Sequence, residues 1–168
     1  MVDVRMEFER TTQPFPICDR GRLIRDEVKE VAAIARTAFR GMTRFYADPL
    51  FPDERCDDLY ENWIRDSLAG WANNTLVIED DDHKVAGFVT IHVDGEDSSI
   101  GLIAVAEYAR GFGFGWQLCE GALNAASALG AQRMTVVTQG RNIAAQRAFQ
   151  LAGFRTSKVD LWFHKWAS

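Results

Sequence analysis

Long apolar runs are missing from this sequence. No stretch approaches the roughly 20 consecutive apolar residues that a helix needs to cross a bilayer. The segment from Met1 to Arg10 alternates charged with apolar side chains and lacks the apolar core of a secretory signal peptide. We therefore expect a cytoplasmic protein with no membrane partner.

Cysteine is scarce as well. Cys18, Cys56 and Cys119 are widely separated and odd in number, which gives neither a metal-binding spacing nor a disulfide framework. We expect three reduced thiols and no metal site.

An excess of positive charge is also missing. The chain has 19 Lys and Arg against 24 Asp and Glu, a formal net charge of -5, whereas proteins that coat nucleic acid are strongly basic. No nucleic-acid partner is expected, and an anionic ligand would have to bind at a local cluster of donors. A length of 168 residues suits one hydrophobic core. Residues 1–168 are therefore predicted to form a single domain.

Hydrophobic periodicity and turn residues predict a mixed α/β chain. The predicted order is a strand, two helices, three antiparallel strands, a helix, a strand, a helix and a last strand. The Pro14-Phe15-Pro16 stretch should be extended or turning. The predicted elements are a strand begun by Met6–Glu9, a helix capped by Asp26 and ended by Gly41, a helix after Pro52 whose apolar face runs from Leu59 to Trp71, strands at Thr75–Ile78, Val85–Val93 and Ile100–Val105, a helix across Gly115–Leu129, a strand at Arg133–Thr138, a helix at Asn142–Ala152 and a strand at Val159–Trp166.

A glycine-rich turn, Arg-Gly-Phe-Gly-Phe-Gly from Arg110 to Gly115, lies between a predicted strand and a predicted helix. Alternating glycines let neighbouring backbone N–H groups turn inward without interference from a Cβ. A helix N-terminus also favours an anion, because its first N–H groups are unpaired and its dipole is positive there. A phosphate-binding turn and a purely structural tight turn are both open interpretations.

Sequence context separates three phosphate-binding interpretations. A Walker A loop ends in Gly-Lys-Ser/Thr, but Gly115 is followed by Trp116. A dinucleotide-binding unit needs a carboxylate about 20 residues after its glycines and more parallel strands than the remaining chain can supply. The region around Thr135–Val137 is neutral. The remaining interpretation is the pyrophosphate of a cofactor that lies along a junction between antiparallel and parallel strands.

Two motifs in order carry a resemblance to a known family. The run from Ile103 to Gly115, followed by an amphipathic helix and a strand, resembles the acetyl-CoA motif of the GNAT superfamily of N-acetyltransferases. The run from Asn142 to Phe154, an Asn-x-x-Ala helix ending in Gly-Phe, is similar to the second motif of that superfamily. The resemblance implies the GNAT fold, an α/β (α+β) architecture whose mixed central sheet of six to seven strands is flanked by four helices.

The resemblance also implies that acetyl-CoA is the acetyl donor and suggests which residues hold it. Backbone groups of Ile103, Ala104 and Val105 would pair with the pantetheine arm, and one of these N–H groups would polarise the thioester carbonyl. Helix capping is an equally open role for Asn142, as is a solvated helix face for Arg147. The implied set is Ile103, Ala104, Val105, Arg110, Gly111, Phe112, Gly113, Phe114, Gly115, Trp116, Asn142, Ala145, Arg147 and Phe149.

One position departs from the family pattern. Many members have a tyrosine where Phe149 stands, seven residues after the asparagine, and its hydroxyl is thought to protonate the departing thiolate. A phenylalanine cannot do so. Either another group supplies that proton, or the thiolate takes it from water, which its modest basicity permits.

We predict that Tyr46 and His92 are the acid–base groups of the site, with His164 as a further candidate. Histidine is the usual proton shuttle near neutral pH, although a histidine in a strand is more often packed or solvated.

Acceptor binding is predicted for the first half of the chain. Arg44, Phe45, Tyr46, Asp48, Tyr60 and Trp63 form the predicted acceptor set. Aromatic rings suit stacking on a sugar or base, a guanidinium suits a phosphate, and a carboxylate can orient an ammonium or hydroxyl. Core packing is the alternative for the aromatic residues, and the one we favour for Trp63.

A narrower likeness concerns the acceptor itself. The segments from Arg44 to Pro49, from Leu59 to Ile64 and from Leu161 to Trp166 resemble acetyltransferases that act on amino groups of nucleotide-linked deoxysugars. This likeness implies a nucleotide-linked amino sugar of cell-surface polysaccharide biosynthesis as the small-molecule amine acceptor, and it is compatible with a homodimer. Other small amines such as an aminoglycoside, or a CoA-binding sensor without turnover, are the alternatives.

Overall fold

The structure of the protein is a computed structural model, which describes residues 3–12 and 21–165. Pro14-Phe15-Pro16, Cys18 and Trp166, on which some of the expectations above rest, lie outside the described residues. Of the three cysteines, Cys56 and Cys119 are buried free thiols, as predicted.

Within the described residues, seven strands form one mixed sheet in the order β2-β3-β4-β5-β6-β1-β7. The predicted antiparallel run is confirmed, since β3, β4 and β5 are successive antiparallel neighbours. The predicted junction is also present, because β5 and β6 pair in parallel. The strands are β1 (Asp3–Thr11), β2 (Gly21–Leu23), β3 (Asn74–Glu79), β4 (Val85–Asp94), β5 (Asp97–Val105), β6 (Arg133–Gln139) and β7 (Arg155–Trp162).

The first strand of the chain does not lie at the edge of the sheet. β1 is inserted between β6 and β7 and pairs antiparallel with both. Phe8, near the middle of β1, is fully buried, and its ring meets the Phe149 ring edge-on at a centroid distance of 5.6 Å. The N-terminal strand therefore completes the core of the second half of the domain.

In the part of the chain that the structure describes, five α-helices flank the sheet, four of them of nine residues or more. The short one follows the Gly41 turn, and a π-helical turn over Ser67–Trp71 extends the third. The helices are α1 (Val28–Ala38), α2 (Arg44–Ala47), α3 (Asp53–Asp66), α4 (Phe114–Ala128) and α5 (Ile143–Leu151). Within the described residues, none of the helices combines the length and the apolar content that crossing a membrane requires.

Two cores cover the two faces of the sheet. Side chains of a strand alternate between faces, and in β3 the Leu76 and Ile78 side chains belong to one core whereas Val77 belongs to the other. The first core includes α4 and α5 through Leu118, Leu123 and Phe149, and the second includes α1 and α3 through Val31, Ala35, Tyr60 and Ile64. The observed α/β sandwich confirms the predicted fold class.

The second helix begins at Asp53, directly after Pro52, as predicted, because Pro52 and two acidic residues form a favourable first turn. Two other predicted boundaries were wrong. The last strand spans Arg155–Trp162 instead of Val159–Trp166, because Gly153, at φ +78°, ends α5 and the chain then pairs directly with β1. The first strand begins at Asp3 instead of Met6, because β7 pairs with its first residues.

The predicted Asp26 cap was also wrong. Helix α1 has Glu27 at its N-cap position, with no side-chain cap bond. The Glu27 carboxylate instead accepts from the Arg25 backbone N–H and from the Arg22 guanidinium. This hydrogen bond to Arg22, above all, lowers the pKa of Glu27 to about 2. The short elements β2 and α2 were not predicted, because three or four residues are too few to show a period.

Burial of Phe8 predicts how much β1 contributes to stability. Phe8→Ala should lower the free energy of unfolding by about 3–5 kcal/mol, because it removes a fully buried ring and leaves a cavity. Val159→Ala, on the neighbouring strand but 55% exposed, is the matched control and should change stability by less than about 0.5 kcal/mol. Urea unfolding measures both. Equal losses would contradict the placement of β1 in the core.

Candidate active site

The parallel pairing of β5 with β6 stops half-way along β5. It runs from Asp97 opposite Arg133 to Ile100 opposite Val136, and no pairing continues beyond that point. The rest of β6 stays paired with β1, and the rest of β5 stays paired with β4. Because alternate residues of an antiparallel strand direct their N–H and C=O groups away from the partner, residues 101–105 present a row of backbone groups toward the opening.

A β-bulge lies where the two strands part. The register of β4 and β5 shifts between Val89 and Ile91, so that Gly101 and Leu102 together face Thr90. The Leu102 backbone N–H donates to Thr90 Oγ1 at 2.8 Å, which satisfies a buried donor that the shifted ladder leaves unpaired. The bulge bends β5 away from β6 and so helps to hold the opening.

The glycine turn forms one end of this opening. Gly111 and Gly113 have φ angles of +88° and +83°, a left-handed conformation that suits glycine. Within the described part of the chain, no backbone amide of residues 111–116 donates a hydrogen bond, and α4 has no side-chain cap. Six unpaired amides and the positive end of a 15-residue helix therefore converge on one turn.

A cleft of about 500 Å³ follows the opening from the turn to α5. All but one of the predicted cofactor residues line it; Phe112 does not, and its side chain is 73% exposed. Sequence reasoning missed residues from the end of α1 and from α5. The lining residues are Ala38, Phe39, Met42, Ile103, Ala104, Val105, Ala109, Arg110, Gly111, Gly113, Phe114, Gly115, Trp116, Asn142, Ala144, Ala145, Arg147, Ala148, Phe149 and Leu151.

Helix α5 forms one wall of the cleft. Asn142 caps it, since its side-chain oxygen accepts from the Ala145 backbone N–H at 3.1 Å. Phe149 borders the cleft but is 1% exposed, so its ring belongs mainly to the core. A Cβ on Gly115 would lie 3.4 Å from the Ala148 Cβ, which shows how closely α4 and α5 approach each other there.

Stacked aromatic rings join the cleft to the face of the sheet that α1 and α3 cover. Phe39, which lines the cleft, stacks on Tyr60 at a centroid distance of 4.4 Å. Tyr60 in turn stacks on Trp63 and on Tyr46, each at 6.2 Å. Trp63 meets Trp71, whose ring is 58% exposed. Three of the four aromatic residues predicted for the acceptor thus form one continuous group beside the cleft, whereas the Phe45 ring packs against Phe51.

Tyr46 is held away from the cleft by an acidic partner. Its hydroxyl donates to Asp57 Oδ1 at 2.7 Å, and both oxygens of Asp57 also accept from the Arg40 guanidinium. Burial, and then the bond to Asp57, raise the pKa of Tyr46 well above its usual range. This geometry does not favour the predicted acid–base role, because the hydroxyl neither faces the cleft nor gives up its proton readily.

His92 lies at the β5 bulge with a defined tautomer. Its Nδ1 is 3.1 Å from the Trp71 carbonyl oxygen, which can only accept, so Nδ1 carries the proton and Nε2 is the free acceptor of the neutral ring. The imidazole covers Gly101, where any Cβ would collide with His92 Nε2. Burial lowers the pKa of His92 below its ordinary value of 6.5. A neutral imidazole is therefore fixed where β5 leaves β6.

Asp48 and His164, both singled out in the sequence, meet in the fold. His164 Nδ1 lies 2.6 Å from Asp48 Oδ2, with side chains only 17% and 7% exposed. The second Asp48 oxygen accepts from the Leu50 backbone N–H. Asp48 thus already has partners, which argues against its predicted role as the carboxylate that orients the acceptor.

Arg44 projects between two aromatic rings. Its guanidinium lies 4.4 Å from the Phe45 ring centroid and 4.1 Å from that of Trp162. Cation–π contacts on both sides hold this cation in place. Trp162 belongs to the aromatic closing run seen in the sequence, but a role for it was not predicted.

Comparison with known proteins identifies the family. The profile of the acetyltransferase (GNAT) family matches residues 29–154. The chain belongs to this family. The resemblance inferred from the two sequence motifs is thereby confirmed, and the described residues hold no group of three or more His, Cys, Asp or Glu side chains suited to a metal ion.

Two named proteins are similar to this chain in sequence. It is 26% identical over 153 residues to dTDP-fucosamine acetyltransferase of Escherichia coli O6:H1, covering 89% of this chain and 65% of that protein. It is 21% identical over 140 residues to the spore coat polysaccharide biosynthesis protein SpsD of Bacillus subtilis, covering 83% of this chain and 48% of that one. The chain thus spans 65% of the length of the first relative and 48% of the second, less than two thirds of each.

Solved structures show the same fold. AAC(6')-Iy in complex with the bisubstrate analog CoA-S-monomethyl-acetylneamine superposes with a TM-score of 0.64 at 15% identity, over 88% of this chain and 97% of that chain. An acetyltransferase from the GNAT family from Colwellia psychrerythraea superposes with the same score of 0.64 at 16% identity, over 92% of this chain and 53% of that one.

The GNAT family uses acetyl-CoA, and the residues of this chain fit such a ligand. The unpaired amides of residues 111–116 suit its pyrophosphate, with the Arg110 and Arg147 side chains lining the same cleft. The free edge of β5 suits the amide groups of a pantetheine arm. Apolar side chains, among them Phe39, Met42 and Phe114, form the walls.

The turn geometry predicts a selective loss of CoA binding. Gly113→Ala should lower CoA affinity about tenfold, because a Cβ disfavours the left-handed conformation by about 1–2 kcal/mol and the amides then no longer converge. The CoA-induced rise in melting temperature measures this. Gly130→Ala, at φ +93° with open space around its Cβ, imposes a similar strain outside the cleft. A CoA response equal in the two variants would contradict the assignment of the turn.

Proposed function

We propose that this chain transfers the acetyl group of acetyl-CoA to a primary amine, the amino group of a nucleotide-linked deoxy amino sugar of cell-surface polysaccharide biosynthesis. The observation that carries the transferase proposal is the cleft, where the unpaired edge of β5 meets a turn lined by unpaired amides. A cosubstrate with a pyrophosphate and a thioester at the two ends of an amide-bearing arm matches both features.

The acceptor class is supported by the relatives and by Arg44. Both curated relatives are named for sugar or polysaccharide biosynthesis. Arg44 presents a permanent cation between two aromatic rings, which suits a nucleotide phosphate, and the aromatic group from Phe39 to Trp71 offers faces for a sugar or a base. The aminoglycoside alternative rests on structures below 25% identity, which show only the fold.

Different groups of this chain stabilise the developing charge and accept the proton. The thioester supplies an activated acetyl carbonyl, and a backbone N–H of residues 103–105 donates to its oxygen where negative charge develops. His92 Nε2 accepts the proton that the amine loses, because the tautomer fixed by Trp71 leaves that nitrogen unprotonated. Burial keeps the imidazole neutral at physiological pH. We place His164, oriented by Asp48, second to His92 because it does not border the β5 bulge.

The leaving thiolate has no tyrosine at position 149 to protonate it. Phe149 packs against Phe8 and Phe154 and contributes an apolar wall. A thiol has a pKa of about 8.5, so its anion is a modest base that can leave and take a proton from water.

Measuring the release of CoA thiol tests the proposal directly. Nucleotide-linked amino sugars, free amino sugars and aminoglycosides should be compared as acceptors at equal concentration. The proposal expects the highest kcat/KM for a nucleotide-linked amino sugar. Equal or better turnover of aminoglycosides would contradict the proposed acceptor and favour an aminoglycoside instead. CoA binding without turnover of any amine would support the sensor alternative.

A pH profile tests His92. With saturating acceptor, kcat should fall as the pH drops below about 6.5, because only the neutral imidazole accepts a proton and its pKa is lowered by burial. His92→Gln should lower kcat about a hundredfold or more and remove this acid limb. His83→Gln, with a side chain 89% exposed in a turn, is the control. An acid limb that survives in His92→Gln would assign the base to another group.

Acceptor kinetics test Arg44. Arg44→Ala should lower kcat/KM for a nucleotide-linked acceptor about tenfold to a hundredfold, since a charge-assisted contact is worth about 1.5–3 kcal/mol. The KM for acetyl-CoA should not change. Arg65→Ala, which removes an arginine that pairs with Glu61 on the same helical layer, provides the control. If free amino sugars and nucleotide-linked ones respond alike to Arg44→Ala, the phosphate contact is wrong.

A further inference from the structure

Three buried side-chain atoms have no hydrogen-bond partner within the described residues. They are Asp3 Oδ2, Thr43 Oγ1 and Trp63 Nε1. An unsatisfied buried polar atom costs about 1–3 kcal/mol, and a charged one costs more. Native structures retain few such atoms, so each requires an explanation.

Two of the three belong to neighbours of Tyr60, and the third, Asp3, lies within electrostatic reach of it. Trp63 stacks on the Tyr60 ring. Burial raises the pKa of Tyr60, and the nearby Thr43 side chain lowers it by a smaller amount. The Thr43 hydroxyl nevertheless forms no hydrogen bond of ordinary geometry. The Asp3 carboxylate also influences the pKa of Tyr60, by its charge. The three unsatisfied atoms therefore share the electrostatic surroundings of the Tyr60 ring.

Asp3 opens β1 at the point where the sheet parts. It lies opposite Trp162 in β7, and its Oδ1 is 3.6 Å from Arg141 Nη2, just beyond the end of β6. Arg141 precedes Asn142, which lines the cleft. Asp3 is therefore at the carboxyl end of β6, next to the opening between β5 and β6.

The side chain of Asp3 faces the acceptor side. Residues 4, 6 and 8 of β1 alternate with it, and Met6 and Phe8 belong to the core under α4 and α5. Asp3 therefore points to the other face, where Arg44 lies on the ring of its strand partner Trp162. Its side chain is 4% exposed, and Oδ1 accepts the Val4 backbone N–H at 2.9 Å. Only Oδ2 lacks a donor.

We infer that Asp3 Oδ2 accepts a hydrogen bond from an ammonium or hydroxyl group of the acceptor sugar, with the Thr43 hydroxyl and the Trp63 indole N–H as neighbouring polar contacts. The inference rests on the proposed function and names the polar subsite that it requires. Asp3 takes the role predicted for Asp48, whose oxygens already bind His164 and the Leu50 amide. Arg44, on the adjoining ring, remains available for the phosphate of the same acceptor.

The isosteric variant Asp3→Asn tests this subsite. Its kcat/KM for the acceptor should fall about tenfold to a hundredfold, because a charge-assisted bond is lost. The KM for acetyl-CoA should stay constant, and the melting temperature should change little, because the loss of the Arg141 ion pair is offset by the removal of a buried carboxylate oxygen that has no donor. Asp160→Asn is the matched control: it lies on the same face of the sheet, but its carboxylate is paired with Arg5 and Lys158.

Deoxy analogues of the acceptor identify the donating group. If Asp3 binds a hydroxyl, the analogue lacking that hydroxyl should lose affinity in the wild type but not in Asp3→Asn. If Asp3 binds the ammonium, every deoxy analogue should keep its sensitivity to Asp3→Asn. Thr43→Val, which replaces the unsatisfied hydroxyl by a methyl group of similar size, should raise the acceptor KM severalfold and gives a second reading should Asp3→Asn not fold.

Unchanged acceptor kinetics in Asp3→Asn and Thr43→Val would overturn the inference while leaving the proposed function intact. A lower melting temperature of Asp3→Asn with unchanged kinetics would also overturn the inference, because it would show that Asp3 stabilises the sheet through Arg141. A wild-type protein that acetylates no amine would overturn the proposed function instead. In that case calorimetric binding of nucleotide-linked amino sugars to the wild type and to Asp3→Asn decides the inference, and equal affinity refutes it.

Discussion

The separation of β5 from β6 beyond Ile100 shapes both sides of the site. Two parallel neighbours that stop pairing would normally leave two rows of unsatisfied backbone groups inside the fold. Here β6 remains paired with β1 on its other side, β5 remains paired with β4, and the bulge at Gly101–Leu102 turns β5 outward. The backbone groups that face the opening are thus left for a ligand, and the strands do not close over them.

The insertion of β1 makes this opening stable. An N-terminal strand between β6 and β7 supplies β6 with a full ladder and brings Phe8 against Phe149 under the opening. The same strand carries Asp3 to the end of β6, beside the acceptor face. One element therefore supports the cofactor cleft through its apolar side chains and the acceptor side through its polar ones.

The two halves of the site use different chemistry. On the cofactor side, backbone amides and a helix dipole provide the positive potential, so an acidic chain can bind an anionic cosubstrate without a basic surface. On the acceptor side, the groups are side chains held in place by partners: Arg44 by two rings, His92 by the Trp71 carbonyl, and His164 by Asp48. A backbone site depends little on which side chains a sequence carries, whereas a side-chain site changes with each substitution.

Sequence patterns alone are enough to predict the family, the order of the longer elements and most of the residues that line the cleft. Those features are local: the glycine turn and the Asn142 helix each depend on a few consecutive residues, so their composition and spacing are sufficient. The acceptor side becomes visible only in the folded chain, because its contacts join distant segments. Asp48 and His164 are 116 positions apart, and no local pattern shows that they pair, that Asp57 restrains Tyr46, or that Asp3 meets Trp162 across the sheet. The insertion of β1 likewise follows from the need of β6 and β7 for a common partner, which becomes visible only when the whole sheet is assembled.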